Sequence, residues 1–108
     1  MNDDGQTCYL IKLESHTDGS RLHSSYEDVH GRILGVIPSM ADKLLVTLYI
    51  ATDRNYDQGT NILTEDGTWK FPNVHFGGIR RHGILVKLHT IYGEELGVRR
   101  ITVYKSLF

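Results

Sequence analysis

Three oxygen-bearing side chains alternate along one short segment, Asp53-x-Asn55-x-Asp57. Oxygen ligands two residues apart are how calcium-binding loops surround a hard cation, and Glu65 could complete such a shell. The glycine and glutamate that an EF-type loop needs fall one residue late here, at Gly59 and Glu65. We therefore predict no metal site, and the alternative interpretation is a solvated turn whose side chains bond to their own backbone.

The same segment carries the strongest candidate for a small-ligand site. Tyr56 and Trp69 offer flat aromatic faces, and the polar neighbours of Tyr56 offer planar hydrogen-bonding groups, a combination that suits a carbohydrate. The predicted ligand-binding residues are Asp53, Arg54, Asn55, Tyr56, Asp57 and Trp69. The competing interpretation places Trp69 in the core, since tryptophan is highly buried on average.

Six histidines occur at positions 16, 23, 30, 75, 82 and 89, spaced by seven within each triple. Side chains alternate along a strand, so a spacing of seven puts neighbouring histidines on opposite faces. His16 could still meet His23 across one turn, and His75 could meet His82 across another. Neither pair comes with a carboxylate in a fixed position, so we expect surface or half-buried histidines rather than a zinc site.

No nucleophile stands out in the sequence. The serines lie in turn-like segments without an elbow motif, and Cys8 has no histidine near it in sequence. Glu94 and Glu95 are adjacent, so on a strand they would point to opposite faces. Gly77-Gly78 does not open a helix, which a phosphate loop requires. We therefore expect a protein that is not an enzyme and that needs no cofactor.

The charges of the chain are balanced. Twelve basic and 13 acidic side chains give a net charge of −1, which lacks the electrostatic footprint of a nucleic-acid or membrane-surface binder. A local basic strip would form if Arg80-Arg81 and Arg99-Arg100 lie on neighbouring strands, although charge runs are usually solvated faces. No apolar run approaches the roughly 20 residues of a membrane span. We predict no nucleic-acid partner and no membrane partner.

β-Strands must position most of these candidates. Segments rich in β-branched and aromatic residues and bounded by turn formers predict strands, most clearly at 43–51. The segment 83–91 is apolar on both faces, which is typical of a central strand. Asp66-Gly67 predicts a tight turn within a hairpin, because glycine accepts the positive φ angle such turns need. No segment has a convincing helical period.

About seven short strands joined by glycine-rich turns predict an all-β fold, a two-sheet antiparallel β-sandwich with immunoglobulin-like Greek-key connections. A small closed barrel uses the same strand pattern and is the alternative. The 108 residues suffice for one core and not for two. We expect residues 1–6 to form a disordered tail and residues 7–108 to form a single domain.

Three groups of turn and strand residues follow one another in a recognisable order. They are Asp18-Gly19 with Val29-His30-Gly31, then Tyr56-Asp57-Gln58-Gly59, then Asp66-Gly67-Thr68-Trp69 followed by Gly77-Gly78. This order resembles that of immunoglobulin-like accessory modules of bacterial proteins, over most of the chain. A proline commonly precedes the opening turn in those modules, whereas Ser15-His16-Thr17 stands here. The resemblance implies a binding or spacer module without catalytic residues.

The sequence therefore favours a non-catalytic interaction or accessory module that binds a partner protein or a neighbouring domain. The alternative is a module that binds a carbohydrate or another small ligand. We expect a homodimer, because small sandwiches have exposed edge strands and because association would bury the apolar side chains of Leu107-Phe108. The first residues lack the order of a signal peptide, so we expect a cytoplasmic location, or an extracytoplasmic one if the chain belongs to a larger exported protein.

Overall fold

The structure, a computed structural model, describes residues 9–36, 38–78 and 81–105. They form eight strands and one helical turn: β1 (Leu10–Leu13), β2 (Arg21–Leu22), β3 (Tyr26–Leu34), α1 (Pro38–Ala41), β4 (Leu44–Ala51), β5 (Asn55–Ile62), β6 (Thr68–His75), β7 (Arg81–Thr90) and β8 (Glu95–Lys105). The all-β prediction is confirmed, with eight strands rather than about seven. None of the helical structure within these ranges could cross a membrane. The predicted tail, Cys8 and Leu107-Phe108 lie outside the described residues.

The strands form two sheets. The three-stranded sheet has the order β1-β3-β6, and the five-stranded sheet has the order β2-β8-β7-β4-β5 and is curled into a half-barrel. β7 lies at the centre of the larger sheet, as its two apolar faces predict. β2 runs parallel to β8, with Arg21 opposite Tyr104. The prediction of purely antiparallel pairing is wrong at this place, because the chain passes from one sheet to the other between β1 and β2.

One hydrophobic core receives side chains from both sheets. The large sheet contributes alternate residues of β4 and β7, of which Leu48, Ile84 and Leu88 are fully buried. The small sheet contributes Val29 and Trp69, and Trp69 is only 3% exposed. Each large apolar side chain removed from water in this way stabilises the fold by about 1.5–3 kcal/mol. The interpretation of Trp69 as a core residue is confirmed.

Gly31 creates the space that Trp69 occupies. It lies in β3 between Leu13 of β1 and Trp69 of β6. A Cβ atom added at Gly31 would lie 1.9 Å from the carbonyl oxygen of Lys12 and 2.8 Å from Cζ2 of Trp69. Only glycine therefore allows β1 and the indole ring to approach β3 this closely.

Two local predictions are wrong. The polar segment 53–57 is not a turn throughout, because the turn is confined to residues 52–54 and β5 begins at Asn55, opposite Ala51. The Asp66-Gly67 turn does form, with Gly67 at a φ of 83°, but β5 and β6 on its two sides belong to different sheets. A tight-turn signal does not distinguish a hairpin from a connection between sheets, because both need the same local backbone geometry.

Candidate functional site

One side of the molecule is formed by β5 and β6, which are edge strands of the two sheets. The Asn61 side-chain amide donates a hydrogen bond to the Lys70 carbonyl oxygen at 2.8 Å and ties the two edges together. A cavity of about 610 Å³ lies along this side, and we call it the Tyr56 groove. It is lined by Ile50, Thr52, Asp53, Tyr56, Gln58, His75, Gly77 and His82.

Hydrogen bonds fix the polar side chains of the Tyr56 groove. The Tyr56 hydroxyl and the Thr52 hydroxyl each donate to the same Asp53 oxygen at 2.9 Å. These bonds, the one from Tyr56 first, hold the pKa of Asp53 below its ordinary value of 3.8, so the carboxylate is ionised at neutral pH. The Arg54 guanidinium lies 5.0 Å from the centre of the Tyr56 ring. Tyr56, which is 39% exposed, therefore lies beside the Asp53 carboxylate and the Arg54 guanidinium.

The structure does not bring Trp69 together with the other predicted ligand-binding residues. Asp53, Arg54, Asn55, Tyr56 and Asp57 are exposed in or beside the turn before β5. Trp69 is buried, and it lines a separate cavity of about 540 Å³ with Asn61 and Lys70. A platform made from both aromatic rings therefore does not form.

The acidic residues near Tyr56 are engaged in local hydrogen bonds. The Asp57 carboxylate accepts a hydrogen bond from the Gly59 backbone N–H at 2.7 Å, within β5 rather than in a turn. Across residues 9–36, 38–78 and 81–105, no three histidine, cysteine, aspartate or glutamate side chains are grouped so that they could hold a metal ion.

Three of the histidines gather around two residues that the sequence analysis did not single out, Glu27 and Phe76. The ring of His16 and the backbone N–H of His23 both donate to the Glu27 carboxylate. The rings of His16 and His82 lie 6.0 and 5.6 Å from the ring of Phe76, which is fully buried. His75 instead stacks on Tyr26, with the ring centres 4.7 Å apart. No periodic signal could reveal these contacts, because they join distant strands.

We expect Glu27 to make stability depend on pH. Burial raises the pKa of Glu27, but hydrogen bonds from His16, His23 and Ser24 outweigh it and hold the pKa below 4.5. A carboxyl whose pKa is depressed by folding stabilises the fold above its unfolded value, and that stability is lost as pH falls through the folded pKa. The free energy of unfolding, measured in urea from pH 7 downward, should therefore decrease below about pH 4.5.

The variant Glu27→Gln tests this assignment, with Glu65→Gln as the matched control at an exposed position. We expect Glu27→Gln to be less stable than the wild type at neutral pH and to lose stability less steeply in acid. Identical pH profiles for the wild type and Glu27→Gln would show that Glu27 is not one of the groups responsible.

A second candidate surface is the outer face of the five-stranded sheet, the face that points away from the core. Arg100, Leu85, Tyr49 and Asp57 are register partners in turn and form one row across β8, β7, β4 and β5. Lys87 lies 5.5 Å from the centre of the Tyr49 ring. The row therefore has a cation at one end and an anion at the other, and its centre consists of Leu85, which is only 8% exposed, and of the Tyr49 ring beside the Lys87 ammonium.

The predicted basic strip is present in part on the same face. β7 and β8 are neighbours, and Arg81 and Arg100 line one cavity of about 480 Å³ with Thr52, Gly83 and Thr102. Arg99 does not line this cavity, and Arg80 lies outside the described residues.

Comparisons with known proteins show the fold and nothing of the function. No family model matches the chain, and no curated protein matches it. Among solved structures, the crystal structure of an engineered protein matches 92% of the chain with a TM-score of 0.64 and 21% sequence identity. The chain spans 20% of the length of that engineered protein. At this identity the likeness concerns the fold alone.

Proposed function

We propose that this protein is a non-catalytic β-sandwich of the immunoglobulin-like Greek-key type and that it acts as an interaction module. An immunoglobulin sandwich carries strands A, B and E in one sheet and C, F and G in the other, where variable-type domains add C′. Reading β1, β3 and β6 as A, B and E, and β4, β5, β7 and β8 as C, C′, F and G, matches the observed order of these seven strands; β2, at the edge beside β8, has no counterpart in this assignment. The likeness is one of topology, because Trp69 lies on β6 and Cys8 is the only cysteine.

The observation that carries the interaction proposal is the row Arg100–Leu85–Tyr49–Asp57 on the outer face. Tyrosine and arginine are enriched in protein interfaces, and an apolar centre with a charged rim is the usual arrangement there. Val98 and Tyr104 extend the apolar surface along β8, with 49% and 44% of their area exposed. The outer face thus offers both apolar area and charges that can fix the orientation of a partner.

The partner that this row fits best is a second copy of the chain. If two outer faces meet across a two-fold axis parallel to the strands, β8 of one copy lies over β5 of the other. Arg100 then faces Asp57 of the partner subunit twice, and Tyr49 faces Leu85 of the partner subunit. Such an interface is self-complementary, as two-fold dimers require. We therefore propose a homodimer that uses this face.

Exchanging the charges tests the proposed dimer. Sedimentation equilibrium of the wild type should show association above the monomer mass of 12.3 kDa as concentration rises. Arg100→Glu and Asp57→Arg should each weaken association about tenfold or more, because each puts like charges opposite each other twice. The double variant should regain most of the loss, since the charges become complementary again.

Arg99→Glu is the matched control, because it reverses the same charge one position away on β8 and outside the row. A mass of 12.3 kDa at millimolar concentration would exclude the second copy as the partner. Association that Arg100→Glu and Arg99→Glu reduce equally would place the interface elsewhere.

The second candidate function is binding of a carbohydrate or another small polar ligand in the Tyr56 groove. It is favoured by the exposed Tyr56 ring, which Asp53 and Arg54 hold beside a cavity of about 610 Å³. Titration with a panel of monosaccharides should shift the amide resonances of Tyr56 and Gln58, and Tyr56→Ala should abolish the shift. Tyr92→Ala, at a tyrosine that is 85% exposed, is the control. No response to any sugar in the panel would argue against this function.

A further inference from the structure

We infer that the cavity between Arg81 and Arg100 binds an oxyanion group, either a phosphate or a carboxylate. The cavity measures about 480 Å³ and is lined by side chains or backbone of Ala51, Thr52, Arg81, Gly83, Arg100 and Thr102. It lies on the outer face of the five-stranded sheet, where β4, β7 and β8 run side by side. The inference concerns a small anion on a single chain and does not depend on the proposed dimer.

The guanidinium of Arg100 lies over Gly83, where the absence of a side chain leaves room for it. A Cβ atom added at Gly83 would lie 3.2 Å from Nη2 and 3.5 Å from Cζ of Arg100. The guanidinium therefore occupies the place that a side chain at position 83 would fill, and Ala51 limits the same space from β4 at 3.1 Å. Arg100 remains exposed, but its planar fork of donors is preorganised, so it loses less conformational entropy for each hydrogen bond it forms.

Neither arginine of the cavity is paired with a carboxylate. Among the described residues, neither Arg81 nor Arg100 lies within 4.0 Å of a carboxylate oxygen. Two carboxylates bond instead to other residues of the lining: Asp18 accepts the backbone N–H of Thr102 at 2.9 Å, and Asp53 accepts the hydroxyl of Thr52 at 2.9 Å. In the part of the chain that the structure describes, both guanidinium groups are therefore left without an ion pair.

The lining selects the class of ligand. A guanidinium presents a planar fork of N–H donors that matches two oxygens of a carboxylate or phosphate, and such charge-assisted hydrogen bonds are roughly twice as strong as neutral ones. The side chain of Thr102 stands beside this pair and adds a hydroxyl without charge, whereas the Thr52 hydroxyl already donates to Asp53. A metal cation is disfavoured here, because both charged side chains are positive.

Anion titrations test the inference. Inorganic phosphate and, separately, acetate are added to the protein at constant ionic strength set with sodium chloride, while the amide resonances of Gly83 and Thr102 are followed. The protein concentration is kept where sedimentation shows a monomer, so that a failed dimer and a failed anion site are told apart. We expect saturable shifts, and we expect Arg81→Gln and Arg100→Gln each to weaken binding about tenfold.

Two further variants separate a built site from general charge screening. Arg99→Gln removes the same charge from β8 outside the cavity and should leave the binding constant unchanged. Gly83→Ala keeps both charges but displaces the Arg100 guanidinium, and it should weaken binding. Saturation by phosphate alone identifies a phosphate site, and saturation by acetate alone identifies a carboxylate site. Equal effects of Arg99→Gln and Arg100→Gln, or shifts that sodium chloride reproduces, would overturn the inference.

Discussion

Replacing Gly31 with alanine should lower the free energy of unfolding by about 3 kcal/mol or more, or prevent folding altogether. The added methyl group would lie 1.9 Å from the carbonyl oxygen of Lys12 and 2.8 Å from Cζ2 of Trp69. The first of these atoms belongs to the backbone of β1, which cannot turn aside as a side chain can. Relief therefore requires β1 to separate from β3, which breaks the pairing of Leu13 with Gly31.

Urea denaturation followed by circular dichroism measures this effect. Gly97→Ala is the matched control, because its added methyl group would meet only the Ile11 side chain, at ordinary contact distances of 3.5 Å from Cδ1 and 4.0 Å from Cγ1. The double variant Gly31→Ala with Trp69→Phe should recover little stability, since the shorter contact is with backbone. If Gly31→Ala were as stable as Gly97→Ala, β1 and Trp69 could not approach β3 as closely as the structure has them.

Some parts of the fold can be predicted from the sequence because they depend on local properties alone. β7 is recognisable as a central strand because both of its faces are apolar, and the glycine at position 67 marks a turn because its φ is positive. Both are local properties. Strand pairing is not a local property. The separation of β5 and β6 into different sheets could therefore not be predicted from the turn between them.

The candidate site illustrates the same limit. Tyr56 and Trp69 are both aromatic residues close to polar segments, and only the high average burial of tryptophan favours the core for Trp69. The register of β6 against β3 places Trp69 opposite Gly31, where the missing side chain leaves room for an indole in the core. Tyr56 lies on the edge strand β5, where no further strand covers it. Pairing thus decides which ring faces solvent, although both rings have similar neighbours in sequence.

The roles of Glu27 and Arg100 could not be inferred for a related reason. Glu27 matters because the chain brings His16, His23 and Ser24 to its carboxylate. Arg100 matters because the strand beside it carries a glycine where the guanidinium lies. In each case the neighbour, rather than the residue itself, determines the chemistry, and sequence motifs record only the residue.

Replacing Phe76 with alanine should lower the free energy of unfolding by about 3–5 kcal/mol, because the ring is fully buried and its loss leaves a cavity. The ring lies between two buried histidines, His16 and His82, at centre distances of 6.0 and 5.6 Å. The backbone of Phe76 is held on both sides, since its N–H donates to the carbonyl oxygen of Ser25 and its own carbonyl accepts from Lys105. The backbone therefore cannot readily close the cavity, and the loss should fall in the upper part of this range.

The variant Phe76→Leu separates burial from ring contact. Leucine keeps most of the apolar volume but offers no aromatic face to His16 and His82, and such ring pairs contribute about 0.5–1.5 kcal/mol beyond area burial. We expect a loss of intermediate size in urea denaturation at neutral pH, while Tyr92→Ala, at an exposed turn, should change stability by less than about 0.5 kcal/mol. If Phe76→Ala cost no more than Tyr92→Ala, Phe76 would not be the residue on which these two histidines pack. Other contacts would then have to stabilise the buried rings of His16 and His82, because burying a polar side chain without compensating interactions costs free energy.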